Sequence, residues 1–163
     1  MIIVLNGPLG IGKSTLAEAL TESIDACAML SGDQLVAVNP PSKTELEHLH
    51  STIELLVRHH RRFGYRNFVI EHIWRTESEL TDLKCRLDDP EVHCFRLTLP
   101  IGENVRRIER RQSARAIDER EFEHYALAEE RRVLEGPGLG TPFDVSAPPE
   151  QLGLRLLELV RQG

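Results

Sequence analysis

The chain alternates short, wholly apolar runs with longer stretches whose apolar positions recur at helical spacing. Ile2–Leu5, Ala26–Leu30, Phe68–Ile70 and Val92–Leu99 are runs of the first kind. Each is short and apolar enough to predict a strand covered on both faces, as in a parallel sheet. Between them, Ser14–Ser23 carries Leu16, Ala19 and Leu20 on one helical face. Asn39-Pro40-Pro41 breaks the chain, and Ser42 then reads as an N-cap with Glu45 as its capping-box partner. The helix it opens carries Leu46, Leu49, Ile53, Leu56 and His60 on one stripe and stops near Gly64. Helices are also predicted over Ser78–Leu87, Glu103–Arg111, Asp118–Leu134 and Pro149–Arg161, with a short fifth strand at Phe143–Ser146. Alternation of this kind is the mark of βαβ units. It predicts one three-layer α/β domain over residues 1–163, a five-stranded parallel sheet with helices on both faces.

Composition narrows the function classes. A chain of 163 residues can bury one substantial core. A formal charge of −6 argues against general affinity for nucleic acid, which relies on excess Lys and Arg. No apolar run approaches the roughly 20 residues that span a bilayer. Met1-Ile2-Ile3-Val4-Leu5-Asn6-Gly7 lacks a basic stretch and is too short in apolar length for a secretory leader, so a cytoplasmic location is expected. Cys27, Cys85 and Cys94 form no C-x-x-C pair and are expected as reduced thiols, two of them in strands. His48, His50, His59 and His60 crowd one helix without the spacing of a recognised metal site.

Between the first strand and first helix lies Gly7-Pro8-Leu9-Gly10-Ile11-Gly12-Lys13-Ser14, which satisfies G-x-x-x-x-G-K-[ST] without departure. Glycines let the backbone turn tightly, so that successive N–H groups point inward at phosphate oxygens. The expected phosphate ligands are the loop backbone at Gly7, Leu9, Gly10, Ile11 and Gly12, together with Lys13, Ser14 and Thr15. Lys13 reaches the β- and γ-phosphates of ATP, and the Ser14 hydroxyl can coordinate Mg²⁺. The following helix N-terminus adds its partial positive charge. A strand before the loop and a helix after it are the context this Walker A motif requires.

No Asn is followed by Lys, so the base-reading motif of GTPases is absent, as is the Leu-Ser-Gly-Gly-Gln signature of transporter ATPases. The chain resembles the P-loop small-molecule kinases, a group that includes shikimate, gluconate and adenylate kinases and chloramphenicol phosphotransferases. The resemblance implies strand order 2-3-1-4-5, an Arg-rich lid at about 106–125, and ATP-dependent transfer to a small acceptor with Mg²⁺. Asp33, in Ser31-Gly32-Asp33, matches the acceptor-side carboxylate of gluconate kinases, although the histidine those enzymes place shortly afterwards is missing, with Val36 nearby. Such a residue can orient the acceptor hydroxyl and accept its proton. Glu71, closing the third strand, matches the second anchor for Mg²⁺. Glu71-His72-Ile73-Trp74-Arg75 is similar to the Asp-Gly-Phe-Pro-Arg stretch of adenylate kinases at its charged ends only. Trp74 reads either as an acceptor-pocket wall or as core.

Arg106, Arg107, Arg110, Arg111 and Arg115 are the candidate lid arginines. Arg107 and Arg111 are expected at the nucleotide, Arg111 also as a catalytic group with Lys13 and Asp33. Phe143–Pro148 resembles the segment that borders the adenine. The expected activity is γ-phosphoryl transfer from ATP to a hydroxyl of a sugar acid, polyol or antibiotic. The alternatives are a nucleoside or nucleotide kinase, and an ATP-binding switch or resistance protein without turnover. The expected partner is the small acceptor, with neither nucleic acid nor membrane, in a monomer or homodimer.

Overall fold

The computed structural model describes residues 1–112 and 120–162, with side chains at all of these except 111, 112 and 120–124. The strands are β1 (Ile2–Asn6), β2 (Cys27–Ser31), β3 (Asn67–His72), β4 (Val92–Thr98) and β5 (Thr141–Asp144). Helices α1 (Lys13–Ser23), α2 (Gly32–Leu35), α3 (Glu45–Arg62), α4 (Glu77–Leu87), α5 (Ile101–Gln112), α6 (Arg120–Val133) and α7 (Pro149–Gln162) connect and follow them. The strands pair in parallel in the order β2-β3-β1-β4-β5. This is the order the resemblance implies, and β1 lies at the centre with all five residues buried.

Side chains alternate across each strand, and the two cores divide accordingly. Ile2, Val4, Leu30, Phe68, Ile70 and Cys94 face a cluster completed by Leu49, Ile53 and Val57 of α3 and Leu80, Leu83 and Leu87 of α4. Ile3, Leu5, Val69, Phe95, Leu97 and Phe143 face the opposite cluster, with Leu16, Ala17 and Leu20 of α1 and Leu152 and Leu156 of α7. Even-numbered positions of β1 and β3 thus look toward α3 and α4, and odd-numbered ones toward α1 and α7. The same parity decides where the polar residues at the strand ends point. Cys27 and Cys94 lie on strands, and all three cysteines are free thiols.

Some sequence expectations are corrected. Helix α3 starts at Glu45 with Thr44 as its N-cap and no side-chain cap; Ser42 Oγ instead accepts from the Thr44 N–H at 3.2 Å. Its buried stripe is Leu49, His50, Ile53 and Val57, while Leu46 is exposed. The helix packs against α4 as well as the sheet, which turns its buried face away from Leu46. A capping box does form, but at α4. The Glu79 N–H donates to Thr76 Oγ1, and the Thr76 N–H donates to Glu79 Oε2, each at 3.3 Å. Gly32–Leu35 closes one helical turn directly after β2.

A buried polar chain crosses the α3 and α4 side. Asn6 Nδ2 donates to the carbonyls of Trp74 (3.0 Å) and Leu139 (3.2 Å), and its Oδ1 accepts the Trp74 N–H at 3.0 Å. The Trp74 indole N–H donates to His50 Nε2 at 3.0 Å. An indole can only donate, so His50 carries its hydrogen on Nδ1 and donates it to Asp82 at 2.7 Å. That bond, helped by Arg86, holds the Asp82 carboxyl below the usual carboxylate range. Removing the α4 cap gives a direct check of local stability: Thr76→Ala is expected to cost about 1 kcal/mol, read from urea unfolding.

Candidate functional site

β1 ends at Asn6, and the chain turns through residues 7–12 into α1. Gly10 has φ +72°, and a Cβ there would lie 2.4 Å from Ile108 Cγ1, so both backbone and space demand glycine. Gly12 is the N-cap of α1. It makes no side-chain cap bond, and the first helical turn holds no acid. The helix therefore directs its amide end and partial positive charge into the loop. Lys13 arches back, its Nζ donating to the carbonyls of Gly7 (2.9 Å) and Pro8 (3.3 Å).

Side chains from α5 and α6 brace the loop from outside. Glu130 Oε2 accepts the Leu9 N–H at 2.7 Å, and Asn104 Nδ2 donates to the Leu9 carbonyl at 3.0 Å. The Leu9 amide, expected among the phosphate ligands, is thus engaged by a carboxylate here. Arg107 donates from Nη1 to the Ile11 carbonyl (2.8 Å) and from Nη2 to the Val145 carbonyl (2.9 Å). It ties the loop to the exit of β5. Beside it opens a cleft of about 460 Å³ bordered by Gly10, Gly12, Thr15, Arg107, Arg110, Val145, Ser146 and Pro148. That volume falls within the range of small-molecule sites, roughly 300–1,000 Å³. Residues of the segment expected to border the adenine line it.

Glu71 is 1% exposed. On β3 it pairs in register with Leu5 of β1 and Ser31 of β2, and its parity turns it toward α1. Its Oε1 accepts the Ser31 hydroxyl at 2.6 Å and the Ser14 hydroxyl at 3.4 Å, while Oε2 is buried with no hydrogen-bond partner. A buried acceptor without a donor is costly, and it is costly at the point where the motif's Ser14 stands. One carboxylate and one hydroxyl beside a phosphate loop suit Mg²⁺, which keeps most of its waters and relies on substrate phosphates for the rest. The residues present fit that ion.

Asp33 lies on α2, at the carboxyl end of β2, with its side chain 71% exposed. Its Oδ1 sits 2.9 Å from His72 Nδ1. That hydrogen bond first, then the charge of Lys13, holds the Asp33 carboxyl below its ordinary value against the opposing effect of burial. At neutral pH Asp33 is therefore ionised, and His72 Nδ1 carries the hydrogen and donates.

Trp74 is fully buried and belongs to the core, which removes it as a wall of a planar acceptor pocket. The Arg75 guanidinium is more than half exposed and lies 3.8 Å from Glu130. Arg106 is exposed and its Nε donates to the Gly102 carbonyl of its own helix. The Arg111 side chain, Arg115 and the central part of the expected lid lie outside the described residues. Sequence reasoning missed Ser31, His72, Asn104 and Glu130 as site residues. Ser31 and His72 stand inside segments already singled out, whereas Asn104 and Glu130 carry no local signal.

These elements define a fold class: the three-layer α/β fold of P-loop small-molecule kinases, with the phosphate loop between β1 and α1. A sugar kinase from Janibacter shares it with a TM-score of 0.75 and 17% identity, over 98% of this chain and 94% of that one. The tunicamycin resistance protein of Deinococcus radiodurans gives 0.71 and 16%, over the same 98% and 94%. A gluconokinase from Sinorhizobium meliloti gives 0.70 and 18%, over 98% and 93%. At such identities the likeness is one of fold. No family model matches the sequence, and no curated protein matches it either. No described helix is long and apolar enough to cross a membrane.

The loop geometry is open to a stability test. Gly10→Ala is expected to destabilise the fold by about 2 kcal/mol through positive φ and the approach to Ile108, measured by urea unfolding.

Proposed function

We propose that this chain is a kinase that transfers the γ-phosphoryl group of ATP to a hydroxyl of a small molecule of sugar-acid, polyol or antibiotic type. The observation that carries this reading is the convergence of Lys13, the Ser14–Glu71 pair and Asp33 at the carboxyl ends of β1, β2 and β3. Open α/β sheets bind ligands at that edge. The same convergence also speaks against a mere nucleotide-binding switch. A switch has no need of an acceptor-side carboxylate held ionised within electrostatic reach of the phosphate-loop lysine. The fold neighbours named for sugar and gluconate phosphorylation, and the one named for antibiotic resistance, supply the acceptor classes.

In this reading the loop amides and the α1 N-terminus receive the phosphates, and Lys13 leaves the Gly7 and Pro8 carbonyls to meet the transferring group. Arg107 borders the nucleotide cleft. Ser14 and Glu71 would hold Mg²⁺, which would supply positive charge beside the phosphates when bound. Asp33 faces the acceptor hydroxyl. Phosphoryl transfer asks the protein mainly for positioning and electrostatic stabilisation, and a carboxylate of lowered basicity suffices to orient an attacking hydroxyl.

ADP release from Mg-ATP, stimulated by one pool among sugars, sugar acids, polyols, nucleosides, and aminocyclitol or phenicol antibiotics, tests the reading. Lys13→Ala should lower stimulated release by about 100-fold or more while the protein stays folded; unchanged release in that variant would remove the basis for the assignment. The metal arm has a readout free of turnover. Mg²⁺ together with ADP should raise the melting temperature of the wild type above that with ADP alone, and Glu71→Gln should lose that increment.

A further inference from the structure

His72 is held with more care than a solvent-edge histidine needs. It ends β3 one residue after Glu71, and strand parity turns it to the face opposite Glu71, toward Trp74. Its ring stands edge-on to the Trp74 indole, with centroids 5.5 Å apart and planes at 80°. The indole is fixed at its N–H by His50 and at its backbone by Asn6. On the other side the ring presses against Gly32, where a Cβ would come within 2.6–2.7 Å of His72 atoms. The glycine before Asp33 is thus the space in which the imidazole lies. The side chain is 12% exposed, and its Nδ1 meets Asp33 Oδ1 at 2.9 Å.

Asp33 is the reverse case. It projects from a single helical turn and is 71% exposed. An exposed Asp on so short an element has little packing to select among its rotamers, yet acceptor alignment depends on that selection. A misplacement of about 1 Å can cost on the order of 100-fold in rate.

We propose that His72 is a positioning residue for the acceptor carboxylate: its Nδ1–H holds Oδ1 of Asp33, leaving Oδ2 turned toward the acceptor hydroxyl. The rigid Asn6–Trp74–His50 frame passes its order to an otherwise loosely held group through one hydrogen bond. This role rests on the kinase reading above, and it adds to it the residue that sets where the acceptor oxygen stands. Glu71 and His72 then divide the two halves of the site between consecutive positions of one strand.

The test combines a spectroscopic arm with a kinetic one. In the ligand-free protein, slowly exchanging downfield imidazole N–H proton signals are expected by NMR from His50 and from His72, the latter lost in both His72→Leu and Asp33→Ala. In ADP release from Mg-ATP, with water and with the stimulating pool as acceptors, His72→Leu should lower kcat about 10- to 100-fold with the KM for ATP unchanged. His72→Asn, whose amide can donate from nearly the same place, should recover most of that loss. The double variant of His72→Leu with Asp33→Asn should be no slower than Asp33→Asn alone. Wild-type turnover in His72→Leu, or multiplied losses in the double variant, would overturn the proposal. If wild type shows no turnover with any acceptor, the kinase reading fails by itself. The His72 signal then still decides whether His72 holds Asp33, and its absence refutes that contact. A folded His72→Asn variant, checked by circular dichroism, keeps the comparison valid should His72→Leu fail to fold.

Discussion

The arrangement at the carboxyl edge of this sheet depends on how six residues of backbone, 7–12, are held open between β1 and α1. Within it, the Ile11 N–H reaches the Pro8 carbonyl only at 3.4 Å, since closer bonding among inward amides would close the loop. The bracing has to come from outside. Asn104 and Glu130 take the two polar groups of Leu9, Arg107 takes the Ile11 carbonyl, and Lys13 lies across the carbonyls of Gly7 and Pro8. Two of these braces are on α5 and one is on α6, the helices on either side of residues 113–119. Any shift of those helices therefore acts on the phosphate loop directly.

The brace at Leu9 has a chemical consequence. Glu130 places a carboxylate oxygen 2.7 Å from a loop amide and has Arg75 close to its other oxygen. In the proposed reading, an amide so engaged is withdrawn from the set available to phosphate, which leaves the amide end of α1 and Lys13 to receive it. The resulting cradle is asymmetric. Arg107 stands on one side, tied to the β5 exit, and in the proposed reading Asp33 stands on the other, with Glu130 and Arg75 close to each other.

The legibility of this molecule follows the range of its interactions. The strands, the loop and the residues at the ends of β1, β2 and β3 were readable, because strand runs and the phosphate motif are written in contiguous residues. Asp33 and Glu71 could be picked out because a strand end on an open sheet is a privileged place. The resemblance to kinases supplied what spacing alone does not, namely the strand order and the expectation of a lid. Partners brought by the fold were not readable. Nothing near Leu9 announces Glu130, which lies 121 positions away. The shift in the α3 stripe has a similar cause: helical periodicity marks an apolar face, but the packing of α4 decides which edge of it is covered.

The clearest lesson lies in strand parity. A residue's side of a sheet is fixed by whether its number is odd or even within the strand, and one step along β3 reverses it. Glu71 faces the α1 side, where Ser14 and Ser31 meet it, and His72 faces the α3 side, where Trp74 and Gly32 enclose it. Ser31 on β2 shares the side of Glu71 by the same rule, and Asn6 on β1 shares that of His72. In the proposed reading, metal-side and acceptor-side groups thus come from neighbouring residues without competing for space. A one-residue slip in β3 would turn each to the opposite face, taking the carboxylate away from the α1 side and the imidazole away from the α3 side. The register that builds the hydrophobic core therefore also assigns the chemistry at its edge, and the core cannot be repacked with a different register without dismantling the site.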